Sequence, residues 1–210
     1  ASFAANWLAP RLGRFAEDHP DIELILDPRL SLVDLTAEGM DLAIRYGDGS
    51  WKGTESRLLT LERLAPVASP ELAATVGPVA EPGDLLGQRL LLSTPAADWE
   101  AWAQAHSLDL GGAETMQLND YNVVLQAAAD GQGIAMGRLF LIEDWLRKGK
   151  LVTLGSDTLT TPALGHWLVL PAGRTPSIAC TQVADWITRE AAGGERGLTD
   201  AAAPAGPRSR

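Results

Sequence analysis

The sequence has few of the residues on which disulfide, zinc or membrane chemistry depends. Its 210 residues include one cysteine, Cys180, and three histidines. One cysteine excludes an internal disulfide, and a single thiol with three scattered histidines does not supply a structural zinc site. No apolar run approaches the roughly 20 residues of a membrane-spanning helix, and no basic-then-apolar secretory leader opens the chain. We therefore expect no metal, cofactor or membrane partner.

Basic residues are outnumbered by acidic ones. The chain has 17 Lys and Arg against 27 Asp and Glu, a formal net charge of −10. A surface that binds nucleic acid needs clustered positive charge, so this segment is not expected to bind DNA itself. The hydrophobic share of 46% is typical of a globular protein. The length suffices for one domain or two small lobes.

Catalytic and nucleotide-binding motifs are missing. Gly131, Gly133 and Gly137 have the spacing G-x-G-x-x-x-G, and a predicted helix precedes them while a predicted strand contains them. A dinucleotide-binding motif needs G-x-G-x-x-G and the reverse order of elements. Asp98 and Glu100 lie on a predicted helix but point apart, so they form no acid–base pair. The sequence does not predict an enzyme.

The first 20 residues predict an amphipathic helix with one apolar stripe. Ser2 can cap its start, and Pro20 ends it. A helix that begins beside a hydroxyl can also bind an anion or carboxylate through its free N–H groups, so Ser2 has two interpretations. The stripe consists of Phe3, Trp7, Leu8, Leu12 and Phe15.

Short apolar segments alternate with helical patterns along the rest of the chain. Helices are expected after residues 69, 97, 120, 138 and 175, with a further short helix over 31–39. This alternation predicts an α/β fold with parallel sheets and right-handed crossovers. The tail, 193–210, has little to bury and is predicted to be disordered. The predicted strands are 22–26, 42–44, 58–61, 64–68, 90–92, 116–118, 133–137, 151–154 and 167–170.

Polar side chains recur where predicted strands meet predicted helices. In parallel α/β sheets, ligands bind at the carboxyl ends of strands, where helix N-termini present free N–H groups. Arg45 and Tyr46 add a cation and a phenol at the end of a buried strand. These residues together predict a ligand pocket. The junctions are Ser2-Phe3, 28–31, 119–122 and Gly137-Arg138.

Each of these residues also has a purely structural interpretation. Asn119 and Asp120 are good helix caps without any ligand. Arg45 could pair with an acidic neighbour, Asp41 or Asp48. These alternatives stay open at the level of sequence.

Three further residues have two interpretations each. Asp34 on its predicted helix is either a solvated or pairing carboxylate or a functional one. Trp51 is either a lid over the pocket or a packed loop residue. His166 precedes Trp167 at a predicted strand and is either a structural histidine or a ligand contact.

Two segments carry a resemblance to a known family. The first runs over 2–20 and the second over 33–47. Their shared residues are Ser2-Phe3-Ala4, Trp7-Leu8-x-Pro10-Arg11-Leu12, Phe15, His19-Pro20, Val33-Asp34-x-x-x-Glu38-Gly39 and Asp41-Leu42-Ala43-Ile44-Arg45-Tyr46-Gly47. The chain resembles the effector-binding half of a LysR-type transcriptional regulator, in the subgroup of the glycine-cleavage activator and the β-lactamase regulator. The resemblance extends from Ser2 to about residue 190.

The resemblance implies two Rossmann-like lobes joined by two crossing strands, as in type II periplasmic binding proteins. Lobe I would comprise 1–65 plus 167–192, and lobe II 66–166, with crossings near 64–69 and 164–170. The chain begins with Ala1, which suggests a fragment. The winged helix-turn-helix that binds DNA in such regulators is absent from this chain.

The resemblance also implies site residues. In such regulators the inducer lies between the lobes. By position, the resemblance therefore implicates Ser2, Phe3, Asp120, Tyr121 and His166. The other predicted residues, Arg45, Tyr46 and Asn119, follow from their places at strand–helix junctions. Asp34 matches a position that influences the activated state in the β-lactamase regulator. Serines are expected at 120 and 121 and a tyrosine at 166, so these departures argue against a muropeptide inducer. The predicted effector-binding residues are Ser2, Phe3, Arg45, Tyr46, Asn119, Asp120, Tyr121 and His166.

The predicted function is effector (co-inducer) binding within a cytoplasmic LysR-type regulator. Its partners would be a small molecule, a second copy in a homodimer or homotetramer, and promoter DNA only through the missing N-terminal domain. The dimer contact is expected on the exposed sides of the first helix and of the helix over 121–130. A solute-binding protein of a transport system with the same fold is the alternative, and an enzyme on this scaffold is a more distant one.

Overall fold

Six α-helices and seven strands make up the described part of the chain. A computed structural model describes the backbone of residues 1–29 and 31–201 and the side chains of 1–29 and 31–193. The helices are α1 (Leu12–Asp18), α2 (Pro70–Val76), α3 (Ala97–His106), α4 (Tyr121–Ala129), α5 (Leu139–Arg147) and α6 (Ile178–Ala201). The strands are β1 (Ala43–Gly47), β2 (Thr54–Ala68), β3 (Leu90–Ser93), β4 (Thr115–Leu118), β5 (Ile134–Arg138), β6 (Val152–Thr153) and β7 (Leu159–Pro171).

The chain divides into two compact units. Unit 1 comprises Ala1–Leu30 and Glu62–Pro162, and unit 2 comprises Ser31–Leu61 and the described residues from Ala163 onward. The long strands β2 and β7 each contain residues of both units. The first helix belongs to unit 1 by its contacts. The division into lobes 1–65 plus 167–192 and 66–166 stays a prediction.

Unit 1 has a mixed sheet. Strand β3 runs parallel to β4 and β5, whereas β2 pairs antiparallel with β5 and with β6. The predicted α/β class is confirmed, but the expectation of parallel pairing holds only for β3, β4 and β5. The hydrophobic core lies among these strands and α3, where Trp99 and Trp102 are almost fully buried.

The end of β5 is packed too tightly for any side chain at residue 137. A Cβ on Gly137 would lie 2.6 Å from Cδ1 of Ile142 and 2.9 Å from Cγ1 of Val67. Real Cβ atoms do not approach other carbon atoms so closely, because interiors are close-packed. This glycine therefore lets α5 approach β2 and β5, and it is not part of a nucleotide-binding loop.

Unit 2 is built on an antiparallel pair of strands and α6. Strand β1 pairs with β7 so that Tyr46 lies opposite His166. The predicted inward face of the last helix is confirmed, since Val183, Trp186 and Ile187 are buried. Helix α6 runs to Ala201. The predicted disordered tail, 193–210, falls mostly on residues whose side chains or backbone lie outside the described part.

Two predicted elements are wrong. Residues 22–26 form no strand, because none of the strands of the described chain pairs with them, and Ile25 is 88% exposed. Residues 31–39 form turns rather than a helix. There the carboxylate of Asp34 accepts hydrogen bonds from the backbone N–H groups of Thr36 and Ala37, and this local bonding competes with a helix.

The first helical segment has an irregular start. A π-helical turn (Ala4–Leu8) and a 3₁₀ turn (Ala9–Arg11) precede α1. Pro10 has no N–H to donate, which explains why regular α-helical bonding begins only after it. The predicted stripe is confirmed at Phe3, Trp7, Leu8 and Phe15, which are buried. None of the helices that the structure describes is both long and apolar enough to cross a membrane.

The substitution Gly165→Ala is expected to lower the free energy of unfolding by about 1–3 kcal/mol, the usual cost of overpacking. A Cβ on Gly165 would clash with the backbone carbonyl oxygen of Thr60 in the neighbouring strand. Urea denaturation followed by circular dichroism measures the change.

The matched control is Gly193→Ala in α6 of the same unit, where a Cβ meets no atom within 4 Å. It should leave the protein unchanged or stabilise it by up to about 1 kcal/mol, because alanine favours a helix. Equal stability of the two variants would contradict the packing described for β7.

Candidate functional site

The starts of two helices meet in unit 1. The side-chain amide of Asn6 donates to the Oδ1 of Asn122 at 2.7 Å and to the carbonyl oxygen of Ser2 at 3.0 Å. Its own Oδ1 accepts from the indole N–H of Trp145 at 3.1 Å. Since Asn6 is 5% exposed, one buried amide joins the first helical turn, α4 and α5. Ser2 and Tyr121 thus lie on neighbouring helix starts.

Asp120 caps α4. Its Oδ1 accepts hydrogen bonds from the backbone N–H groups of Asn122 at 2.7 Å and Val123 at 3.4 Å. Asn119 precedes it and is exposed. Burial lowers the pKa of the Ala1 amino group, and the charge of Asp120 opposes this effect. The capping interpretation describes the geometry of Asp120, and the effector roles of Asn119 and Asp120 stay predictions.

Phe3 packs in an aromatic stack. Its ring centroid lies 4.9 Å from that of Trp7 and 6.3 Å from that of Phe140. The guanidinium of Arg11 lies 4.6 Å above the Trp7 ring and forms an ion pair with Glu143 at 2.8 Å. These contacts fix the first helix on α5 within unit 1. The predicted effector contact of Phe3 remains a prediction.

The side chain of Tyr121 is held at its hydroxyl and over its ring. Its hydroxyl accepts from the backbone N–H of Arg138 at 2.7 Å and donates to the carbonyl oxygen of Met136 at 3.3 Å. The Arg138 guanidinium lies 5.1 Å from the centre of its ring. Burial raises the pKa of the Tyr121 phenol well above its ordinary value. The phenol is therefore a fixed neutral group at the end of β5.

Arg138 lies between two buried carboxylates. It makes a bidentate contact with Asp98, from Nε to Oδ2 at 2.9 Å and from Nη2 to Oδ1 at 3.2 Å. Its Nε is also 3.9 Å from the Oε2 of Glu62, which is too long for a hydrogen bond. Glu62 is 0% exposed. The guanidinium of Arg138 thus compensates the charge of Asp98 by direct hydrogen bonds, and it compensates the charge of Glu62 only in part.

The pKa values in this cluster follow from burial and from the closer contact that Arg138 makes with Asp98 than with Glu62. Burial raises the pKa of Glu62 to about 7, although the charge of Arg138 opposes the rise. Burial also works against the charge of Arg138, but Asp98 and its hydrogen bonds raise the Arg138 pKa overall. Arg138 therefore stays charged, and Glu62 is the member of the cluster that changes charge near neutral pH.

A small recess of unit 1 opens beside this cluster. Its cavity volume is about 10 Å³, room for about one water molecule, and its polar walls are Ser93, Asp98 and Tyr121. Apolar side chains, among them Trp99 and Met136, form the rest of the lining. This recess is too small for an effector-sized compound, and it marks where Asp98 and Tyr121 reach the surface of unit 1.

The remaining predicted residues lie in unit 2. The rings of Tyr46 and His166 are 5.2 Å apart, on directly opposed positions of β1 and β7. His166 is 3% exposed. Such a cross-strand pair stabilises the ladder, so the structural interpretation accounts for the position of His166. Its role as an effector contact stays a prediction.

Arg45 binds a backbone carbonyl. Its Nη2 donates to the carbonyl oxygen of Val33 at 2.6 Å, and its guanidinium lies 5.6 Å from the ring centre of Trp51. Burial lowers the pKa of Arg45, and the charge of nearby Asp34 opposes this effect. Trp51 therefore packs under Arg45 in its loop.

The acidic partners suggested for Arg45 have other contacts. Asp41 lies 3.6 Å from the Nη2 of Arg174, and Asp48 accepts a hydrogen bond from the backbone N–H of Ser50 at 2.9 Å. Asp34 closes the turn over 34–38 and contributes its charge near Arg45. Its predicted influence on an activated state is untested.

The buried polar groups Asn6, Glu62 and Asp98 of unit 1 are not among the residues predicted from the sequence to bind an effector. Glu62 carried a signal, because it is a lone carboxylate between two apolar runs of one strand. Asp98 was considered only with Glu100, whereas its partner is Arg138, 40 residues away. Asn6 gave no signal, since an asparagine within a helical pattern is ordinary.

The described residues offer little metal or thiol chemistry. Within them, no group of three or more His, Cys, Asp or Glu side chains is arranged to hold a metal ion. The thiol of Cys180 contacts the carbonyl oxygen of Asp41 at 3.6 Å, and burial raises its pKa.

Comparison with known proteins gives a consistent family. Residues 1–192 match the family described as the LysR substrate binding domain. The HTH-type transcriptional activator AmpR of Pseudomonas aeruginosa is 32% identical over 198 residues, which is 93% of this chain and 65% of that protein. The glycine cleavage system transcriptional activator of Escherichia coli K12 is 32% identical over 161 residues, 76% of this chain and 53% of that protein. The chain thus spans less than two thirds of these relatives.

A solved structure agrees with the sequence relatives. The effector domain of the transcriptional regulator AmpR of Pseudomonas aeruginosa superposes with a TM-score of 0.78 at 32% identity and covers 95% of both chains. The fold is therefore that of a LysR effector domain. These proteins are named as transcriptional regulators, which agrees with the prediction that the chain is not an enzyme and disfavours a transport protein.

The family match over residues 1–192 includes both segments that carry the resemblance, 2–20 and 33–47, and it covers residues of both units. The chain belongs to the LysR substrate-binding domain family.

Proposed function

We propose that this chain senses a small-molecule effector within a cytoplasmic LysR-type transcriptional regulator. One observation carries the proposal. Two helix starts meet in unit 1 close to Tyr121, which Arg138 links to Asp98, and the chain superposes on an effector domain. Helix N-termini and a few buried polar groups above an apolar floor are typical of small-ligand sites.

The proposed effector contacts are those predicted from the sequence. In unit 1 they are Ser2, Phe3 and 119–121, and in unit 2 they are Arg45, Tyr46 and His166. Phe3 and His166 would act mainly by shaping the site, since both are buried. Asp34 would influence the activated state through its turn, which lies near Arg45. The two-lobe division with boundaries near 65 and 166 belongs to the same proposal.

DNA binding is proposed to belong to another segment of the parent protein. The relative in Pseudomonas aeruginosa is named as an HTH-type activator and is longer than this chain. A net charge of −10 makes this chain a poor ligand for DNA. Effector binding would change transcription by favouring one of two states of the assembled regulator, and this requires different affinities for the two states.

A metabolite that binds this chain should raise its melting temperature in a thermal-shift screen, because ligand binding stabilises the folded state. For any such compound, the combined variant Ser2→Ala, Tyr121→Phe and His166→Ala should weaken binding at least about tenfold, as expected for the loss of one or two hydrogen bonds. Isothermal titration calorimetry measures the change.

The matched control for that experiment is Thr75→Ala. Thr75 lies in α2, and its hydroxyl donates to the carbonyl oxygen of Glu71 in the same helix. This control should bind the compound as tightly as the unmodified chain. An unchanged affinity in the triple variant, with a normal circular dichroism spectrum, would place the effector site elsewhere.

Self-association is proposed to use the exposed side of α4 together with the exposed side of the first helix. Val123 is 51% exposed on α4. The substitution Val123→Glu should weaken dimerisation at least about tenfold, because it places a charge at the centre of an apolar contact. Sedimentation equilibrium at several concentrations measures the association constant.

The control for the association experiment is Ile178→Glu, which changes an apolar residue that is 82% exposed at the start of α6. It should leave the association constant unchanged. A chain that stays monomeric at high concentration, or a dimer insensitive to Val123→Glu, would argue against this interface.

A further inference from the structure

The buried carboxylate of Glu62 has no role in the functions described above. It lies in β2 between Leu61 and Arg63, and its Oε2 accepts no hydrogen bond from the described residues. Its Oε1 accepts only a weak bond from the backbone N–H of Arg63 at 3.2 Å. A buried charge with so few partners is costly.

The groups around Glu62 come from three elements. Arg138 at the end of β5 is the cation nearest to it, at 3.9 Å. Asp98 in the first turn of α3 competes for that cation and holds it at 2.9 Å. Tyr121 at the start of α4 lies under the same guanidinium and bonds the backbone N–H of Arg138. Any change in the position of Arg138 therefore reaches Tyr121.

We propose that Glu62 is a protonation-dependent positioning residue that acts through Arg138 on Tyr121. When Glu62 carries a proton, the charge of Arg138 is balanced by that of Asp98, and the cluster has no net charge. When the proton leaves to solvent, the cluster gains one negative charge and the guanidinium is drawn from Asp98 toward Glu62. The cation above the Tyr121 ring then moves, and the recess wall formed by Asp98 and Tyr121 changes.

The proposal goes beyond effector sensing and does not depend on it. It assigns to unit 1 a sensitivity to pH that is present without any ligand. A failed effector screen would leave the proposal intact, and a failed test of Glu62 would leave the effector site intact.

The sign of the stability effect follows from the raised pKa. The carboxyl of Glu62 has a pKa of about 7 in the folded chain against 4.5 as the ordinary value. Its protonated form is therefore favoured by folding: the contribution is fully present below about pH 4.5 and is lost as the pH rises through about 7. The difference corresponds to about 300-fold in the folding equilibrium constant.

The direct test observes Tyr121. The chain has two tyrosines, so labelling tyrosine Cζ with ¹³C gives two NMR signals, and Tyr46→Phe assigns them. The Tyr121 signal of the full chain should move with one inflection near pH 7. The nearly isosteric Glu62→Gln should remove that inflection, since glutamine cannot titrate.

A second variant tests the competition for Arg138. In Asp98→Asn, the guanidinium is free to pair with Glu62 and a neighbouring negative charge is gone. Both effects lower the pKa of Glu62, so the inflection of the Tyr121 signal should move to lower pH. A structural role alone would not shift the midpoint of a titration.

Urea denaturation at several pH values gives an independent measurement. The advantage of Glu62→Gln over the unmodified chain should grow as the pH rises from about 4.5 to about 7. The proposal is overturned if the Tyr121 signal shows no inflection, or if the inflection persists in Glu62→Gln. Persistence would show that a group other than Glu62 causes it.

Discussion

The pairing of Arg138 with Asp98 is the interaction on which the candidate site of unit 1 depends. It joins the end of β5 to the first turn of α3, and the same residue supplies the N–H that holds the Tyr121 hydroxyl. A bidentate guanidinium–carboxylate contact fixes both distance and orientation. Three elements of unit 1 are therefore aligned by one residue, through its side chain and its backbone N–H, and Glu62 is the buried charge that Arg138 compensates only in part.

The first helix is held to unit 1 by a different kind of contact. Aromatic stacking of Phe3 and Trp7 on Phe140 provides apolar burial, while Asn6 provides a specific polar connection to Asn122. Burial alone would allow the helix to slide along α5, whereas the amide bonds select one register. The irregular π and 3₁₀ turns before α1 are compatible with these contacts, because Pro10 removes one donor from the regular pattern.

Periodicity and end signals predicted most elements of the chain. The helix after Asp120 and the helix after Ser69 are present as expected, because a capping side chain and a proline act locally. The strand over 22–26 was not found, since alternation indicates a strand only when a partner strand exists. The helix over 31–39 was not found because Asp34 bonds its own following N–H groups.

The candidate site was less predictable than the fold. Sequence position identified Tyr121 and Arg138 as junction residues, since both follow the ends of elements. It could not reveal that Glu62, Asp98 and Arg138 meet, because their contacts join residues far apart in the chain. It also left open whether Arg45 pairs with an acidic neighbour or contacts an effector, and it did not indicate the hydrogen bond from Arg45 to the carbonyl oxygen of Val33. Long-range polar contacts of this kind leave no periodic signal.

The tight packing around Gly137 has an evolutionary consequence. Val67 and Ile142 already fill the space that a side chain at 137 would need, so the three positions share one fixed volume. A methyl group added at residue 137 therefore requires a smaller side chain at residue 67 or 142. Across homologous chains these positions are therefore expected to covary as a set, immediately beside the arginine that organises the site.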